Sequence, residues 1–171
     1  MKSFIFIKIW NNHIGDNMRE IKREIEVLQY LYSQVLMEKD TYSFIIKKYN
    51  KTEDENENKF DIEFLEIIEN AINEFKKFLI SIKEMLKNRD VDKKQDDLLF
   101  RVATYFTIDI EKNTESEVAK HLVHGSQVVL NHYIEKLESE EISSKTIQNL
   151  SNRFIDFENK NIKSLSKFIE K

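Results

Sequence analysis

TESEVAKHLVHGSQVVLNHYIEKL, residues 114–137, is the stretch that decides the fold of this 171-residue chain. Its apolar residues recur at helical intervals, and Thr114 with Glu117 three residues later fits a capping box, which predicts that a helix begins there. Gly125 lies in the middle of that helix, where a glycine costs about 1 kcal/mol relative to alanine. We interpret Gly125 as a packing position, at which the missing side chain lets a neighbouring helix or a large aromatic ring approach closely.

Three further segments share this periodicity. Steps of three and four predict a first long helix over 21–49, a second over 64–85, and a last helix capped by Ser143 or Ser144. In the first helix, Lys39 occupies a position at which the pattern calls for an apolar residue. The expected inner residues of the first and last helices are Ile21, Ile25, Leu28, Tyr32, Val35, Tyr42, Ile46 and Tyr49, and Ile147, Leu150, Phe154, Phe157, Leu165 and Phe168.

The connection between the second and third long helices contains a shorter apolar series over 99–110. A helix of about 16 residues is about 24 Å long, which is enough to return the chain to the other end of a bundle. We therefore predict an all-α, ferritin-like four-helix bundle with a shorter crossover helix between the second and third long helices.

Composition narrows the class of protein. The chain has no proline, no cysteine and only two glycines, which is typical of helices joined by short polar turns. The absence of cysteine excludes a disulfide scaffold and cysteine catalysis. The net charge of −4 with interspersed signs disfavours nucleic-acid binding. The apolar segment 1–10 is shorter than the roughly 20 residues of a membrane span, so we predict a cytoplasmic protein that does not bind membranes.

The N-terminal residues 1–17 differ from the rest of the chain. Residues 15–18, GDNM, are what translation of a purine-rich ribosome-binding sequence before a start codon would give. We therefore hypothesise that the native protein begins at Met18 and that 18–171 form a single helical-bundle domain. The alternative is that 1–17 form a short apolar arm that packs on the bundle.

Candidate metal ligands are concentrated on one helix. No Glu-x-x-His occurs in the sequence, so the di-iron chemistry of ferritin-like bundles is disfavoured. Glu117, His121 and His124 lie within two turns and could bind a divalent metal if another helix supplied a ligand such as Glu66 or Glu69. The alternative is a polar flank of the helix with partly exposed imidazoles.

Two further sets of residues allow more than one interpretation. Lys39 is either a buried functional amine or a lysine that reaches solvent from the edge of the interface. Tyr32, Tyr42 and Tyr133 either line a small polar pocket or each find one hydrogen-bond partner in the core.

The segment 124–137, HGSQVVLNHYIEKL, resembles a bacterial ferritin-like family named only as domain of unknown function twenty-three eighty-three. In that family a glycine precedes a tyrosine by eight residues and a leucine follows four later, and Gly125, Tyr133 and Leu137 keep those intervals. Ser126 stands where the family has an acidic residue, and Asn159 where it has a histidine. The resemblance implies a self-associating four-helix bundle of undefined activity. Weaker similarity covers residues 40–42, 74–79, 98–102 and 162–165.

We predict a non-catalytic bundle protein that has no cofactor and acts through self-association as a homo-oligomer or through binding of a protein partner. The sequence does not distinguish this prediction from a third possibility, a helical partner module such as an immunity or adaptor protein. The alternative is a metal-binding protein or metal-dependent oxidoreductase that uses Glu117, His121 and His124.

Overall fold

Four helices make up almost all of the computed structural model, which describes residues 2–52, 60–89 and 114–169, with side chains from 17–49, 60–89 and 114–169. They are α1 (Lys2–Thr52), α2 (Ile62–Lys87), α3 (Glu115–Ser139) and α4 (Lys145–Ser166). Those ranges contain no strand, so the all-α prediction is confirmed. The predicted crossover helix over 99–110 lies outside the described residues.

N-cap residues precede α2, α3 and α4. The Asp61 carboxylate accepts a hydrogen bond from the backbone N–H of Glu63 at 2.9 Å and caps α2. The predicted capping box of α3 is confirmed: the Thr114 hydroxyl accepts from the Glu117 N–H, and the Glu117 carboxylate accepts from the Thr114 N–H. Ser144 is the N-cap of α4, but its side chain makes no capping hydrogen bond.

Contacts at the two ends of the bundle show that α1 and α2 are antiparallel. At one end the ring of Tyr49 stacks on that of Phe60, with centroids 5.4 Å apart. At the other end the Arg89 guanidinium, just after α2, binds the Glu24 carboxylate in α1 at 2.7 Å.

The direction of α3 follows from the same two ends. Its first residue, Glu115, accepts a hydrogen bond from the backbone N–H of Asp61 at the start of α2. Beyond its last residue, the Glu141 carboxylate lies 3.9 Å from the Arg23 guanidinium in α1. Helices α2 and α3 therefore run in the same direction, and the end of α2 and the start of α3 lie at opposite ends of the bundle.

The core lies between two helix pairs. Helix α1 packs mainly against α2 and α3, and α4 packs mainly against α3 and α2, which leaves α1 and α4 on one diagonal. Edge-on aromatic pairs join Phe78 and Tyr133 through the ring of Phe154, at centroid distances of 5.5 and 5.4 Å. Pairs of this kind contribute about 0.5–1.5 kcal/mol each beyond the area that they bury.

Most predicted inner residues are buried or partly buried, but two predictions for α1 are wrong. Ile21 is 42% exposed, because the other described helices end near the level of Glu24. Lys39 does not hold the inner position between Val35 and Tyr42; the core pattern steps by three to Glu38 and then by four. The Lys39 side chain is 24% exposed and its ammonium binds Asp40 at 2.7 Å, so it is not a buried amine.

The structure describes the backbone of residues 2–17, the segment that the sequence sets apart from the rest of the chain. Helix α1 begins at Lys2 and is therefore continuous through this segment. The hypothesis that the native chain begins at Met18 stays a prediction. Among the helices that the structure describes, none combines the length and apolar character that crossing a membrane requires.

Candidate functional site

The predicted metal ligands lie on the surface of the bundle. Glu117, His121 and His124 are all exposed on α3, as are Glu66 and Glu69 on α2. The hydrogen bonds from Thr114 in the capping box lower the pKa of the Glu117 carboxyl. Within the described residues, no three acidic, histidine or cysteine side chains are placed to hold a metal ion. Metal binding by these residues therefore stays a prediction.

The buried polar side chains form a different cluster, contributed by three helices, which we call the polar layer. It consists of Glu38 and Tyr42 from α1, Ser126 from α3, and Glu158 and Asn161 from α4. Glu158 is 0% exposed and Glu38 is 5% exposed. Acidic residues are almost never buried to this extent without a partner, so this layer is the strongest candidate site in the described structure.

The hydrogen bonds of the polar layer have a defined direction. Ser126 Oγ donates to Glu38 Oε1 at 2.9 Å, and Asn161 Nδ2 donates to Tyr42 Oη at 2.7 Å. Tyr42 Oη and Ser126 Oγ are 3.4 Å apart. Because the single hydroxyl proton of Ser126 is used on Glu38, Tyr42 donates to Ser126. The chain of donors therefore runs from Asn161 through Tyr42 and Ser126 and ends on one oxygen of Glu38.

The other carboxyl oxygens of the layer are less well placed for hydrogen bonding. Glu38 Oε2 and both oxygens of Glu158 are buried and lack a hydrogen bond of standard geometry. The two carboxyl groups nevertheless lie close enough to act on each other electrostatically. An ionised carboxylate that is buried without a partner costs several kcal/mol, so such a group usually takes up a proton instead.

Burial is the main cause of the raised pKa values in the polar layer. Burial raises the pKa of Glu38 to about 7, and its interactions with Ser126 and Glu158 oppose this shift. Burial and then the repulsion of the Glu38 carboxylate raise the pKa of Glu158 well above its ordinary value. Burial also raises the pKa of Tyr42, which keeps its hydroxyl protonated as the donor to Ser126. The proton of the pair is therefore expected on Glu158, and Glu38 is the group that ionises first as the pH rises.

The polar layer is closed on the side of α2. The Phe75 ring meets Tyr42 edge-on at 5.3 Å and Phe157 at 5.2 Å. In α3, Gly125 is buried next to Ser126, at the level where the predicted close approach would occur. A surface pocket lined by Arg23 and Glu141 lies at the end of the bundle, about four turns of α1 away from Glu38. The arrangement can bind protons, but it offers a substrate no visible entrance within the described residues.

Gly125, Tyr133 and Leu137 are part of the core of the bundle. Tyr133 is 0% exposed and Leu137 is partly buried against the core. Tyr133 Oη lies 2.6 Å from Ser151 Oγ, which itself donates to the Ile147 carbonyl, so Tyr133 is the donor. Burial raises the pKa of Tyr133 to about 12. Tyr42 and Tyr133 bond different serines, so these two tyrosines each have their own hydrogen-bond partner in the core.

Sequence reasoning missed Glu38, Ser126, Glu158 and Asn161 as a cluster. The available signal was one gap in the apolar pattern of each of three helices. These gaps lie between Val35 and Tyr42, between Leu122 and Val129, and between Phe157 and Leu165. The packing of the helices brings these gaps to the same level of the bundle.

Comparison with known proteins does not add to these observations. No model of a known protein family matches the chain, and searches of curated proteins and of solved structures also give no match.

Proposed function

We propose that this protein is a non-catalytic helical bundle that associates with a second copy of itself through the beginning of α1. The observation that carries the proposal is that the inner pattern of α1 continues past the ends of the other described helices. Apolar residues recur at intervals of seven along the whole helix: Ile7, Ile14, Ile21, Leu28, Val35, Tyr42 and Tyr49.

The described side chains at the start of this pattern support the proposal. From Leu28 onward, the residues of the series are buried in the bundle. Before that point Ile21 is 42% exposed, and Met18 beside it is 67% exposed. The ends of α2 and α3 reach α1 at Glu24 and Arg23, and about 20 residues of α1, or about 30 Å, precede them.

A second copy of the chain is the partner that fits this surface. A repeat of seven residues is the spacing at which helices coil around each other. A two-fold dimer presents the same apolar series from both copies. The flanking charges, Arg19 and Lys22 against Glu20 and Glu26, are mixed in sign. Such a surface suits an identical helix better than a strongly acidic or strongly basic partner.

The absence of catalysis and the finer class of the fold belong to the same proposal. The polar layer is buried, and the surface residues Glu117, His121 and His124 receive no ligand from a second described helix. The parallel course of α2 and α3 supports ferritin-like connectivity, in which one long crossover joins these helices. We include a cytoplasmic location in the proposal.

The molar mass of the full chain in solution tests the proposed association. Light scattering coupled to size-exclusion chromatography is expected to give a dimer for the wild-type protein and a monomer for Ile21→Glu, because the substitution places a charge in the apolar contact. Ile80→Glu is the matched control, since Ile80 is an exposed isoleucine of α2, at 59%. It should remain dimeric.

Two results would contradict the proposal. A wild-type protein that stays monomeric across the accessible concentrations would show that the surface of α1 has no second copy bound. A dimer that persists in Ile21→Glu would place the contact elsewhere on the molecule.

A further inference from the structure

We propose that the polar layer is a proton-binding site, in which Glu38 and Glu158 share one proton at neutral pH and lose it, with a loss of fold stability, as the pH rises. This inference does not depend on self-association. It concerns the interior of one bundle and would hold for a monomer.

The two carboxyl groups lie in an environment that lacks a compensating positive charge among the described residues. Helix α1 presents Glu38 and Tyr42 to the layer and α4 presents Glu158, whereas α3 contributes the neutral Ser126 and α2 the ring of Phe75. The nearest lysine in sequence, Lys39, is directed to the edge and bound to Asp40. The described residues therefore place no cation against the pair. Two carboxylates side by side in a low-dielectric interior do not both ionise.

The hydrogen bonds of the polar layer are directed toward Glu38. Glu38 receives the donor chain on Oε1 through Ser126, so the layer is arranged to stabilise a carboxylate at Glu38. Neither oxygen of Glu158 receives a hydrogen bond of standard geometry, although an interaction with the nearby Ser126 hydroxyl opposes the rise of the Glu158 pKa. A proton held by Glu158 makes that group neutral and provides the donor that Glu38 Oε2 lacks. One proton thus removes one of the two buried charges and pairs the other.

A metal cation is the competing occupant. The layer offers only two carboxylates, and its side chains are 0–6% exposed, without an opening to solvent in the described structure. A bound cation would also need both carboxyl groups ionised. A proton needs neither an opening wide enough for a metal ion nor a third acidic ligand.

The sign of the pH effect follows from the raised pKa values. In the unfolded chain both glutamates have a pKa of about 4.3. The contribution of the protonated pair to stability is therefore complete below about pH 4 and is lost as the pH rises through the folded-state pKa, about 7 for Glu38. Between its unfolded-state pKa and its folded-state pKa, each glutamate lowers the folding equilibrium constant by about tenfold per pH unit.

Urea unfolding of the full chain at pH 5, 6, 7 and 8 tests the inference. The wild-type folding equilibrium constant is expected to fall by at least about tenfold per unit between pH 5 and 7. Glu158→Gln removes one ionisable group but keeps the shape of the side chain. The stability of this variant should therefore depend less steeply on pH. Glu69→Gln makes the same change of net charge at an exposed site of α2 and should keep the wild-type slope.

An infrared measurement gives a readout that does not depend on unfolding. At pH 7 the folded protein should show the C=O stretch of a protonated, buried carboxylic acid, and this band should be weaker in Glu158→Gln. If that variant does not fold, Glu38→Gln takes its place in the urea series, with the same flattening expected. In the infrared arm its readout is the pH at which the Glu158 band disappears.

Three results would overturn the inference. The first is a Glu158→Gln slope equal to those of wild type and Glu69→Gln. The second is the absence of a protonated carboxyl band at pH 7. The third is stabilisation of the wild-type protein by Zn²⁺ or Mn²⁺ that disappears in Glu158→Gln, which would identify a cation as the occupant.

Discussion

Glu38 and Lys39 are adjacent in α1, yet they have opposite environments. The Glu38 side chain is buried among Ser126 and Glu158, whereas the Lys39 side chain reaches the edge of the bundle. The sequence does not distinguish them, because steps of three and of four from Val35 are equally compatible with a helical stripe. The distinction comes from the neighbouring helix, which places a hydroxyl donor opposite position 38.

Ser126 links the two parts of the polar layer, so its removal should have a measurable cost. Ser126→Ala leaves Glu38 Oε1 without a donor and Tyr42 without an acceptor, and we expect a loss of about 1–3 kcal/mol in the free energy of unfolding. Because the Ser126 hydroxyl lowers the pKa of Glu38, the pH at which stability falls should also move upward.

Ser139→Ala is the control for this substitution, since the Ser139 hydroxyl is exposed and bonds only a carbonyl of its own helix. Urea unfolding at two pH values measures both effects. Equal stability of the two variants, with no change in the pH dependence, would show that the Ser126 hydroxyl does not support the pair.

At the scale of the element, the start of α3 was predictable because its signal is local. A capping box involves residues three apart, and the Thr114 and Glu117 side chains satisfy each other without help from the rest of the fold. The residues Glu38, Ser126 and Glu158 are 88 and 32 positions apart in sequence, and only the packing of the helices brings them together. Their individual gaps in the apolar pattern are visible in the sequence, but their alignment at one level is not.

Two N-cap residues allow the cap of α3 to be tested against a matched position. Thr114→Ala removes the capping hydrogen bond and should cost about 1 kcal/mol of unfolding free energy. Ser144→Ala changes the N-cap of α4, where the side chain makes no capping bond, and should cost less. Equal losses of unfolding free energy in the two variants would mean that the capping hydrogen bond of Thr114 does not stabilise the protein.

At the scale of the whole molecule, the sequence predicts the number of long helices and most of their buried faces. It predicts the inner position of Ile21 incorrectly, because periodicity reports that a helix has an apolar face and not whether another helix covers it. The end of the covered region is set by the lengths of α2, α3 and α4. The exposed Ile21, which contradicts the prediction, also supports the proposed association.

Amide hydrogen exchange as a function of protein concentration tests the proposed association most directly, because it locates the contact. An isolated helix that projects from a bundle exchanges its amide hydrogens readily, whereas a helix paired with a second copy is protected. We expect exchange in residues 2–21 to slow as the concentration rises and to stay fast in Ile21→Glu, while exchange in α4 does not change. Exchange in residues 2–21 that is independent of concentration, in a wild-type protein of monomeric mass, would contradict the account.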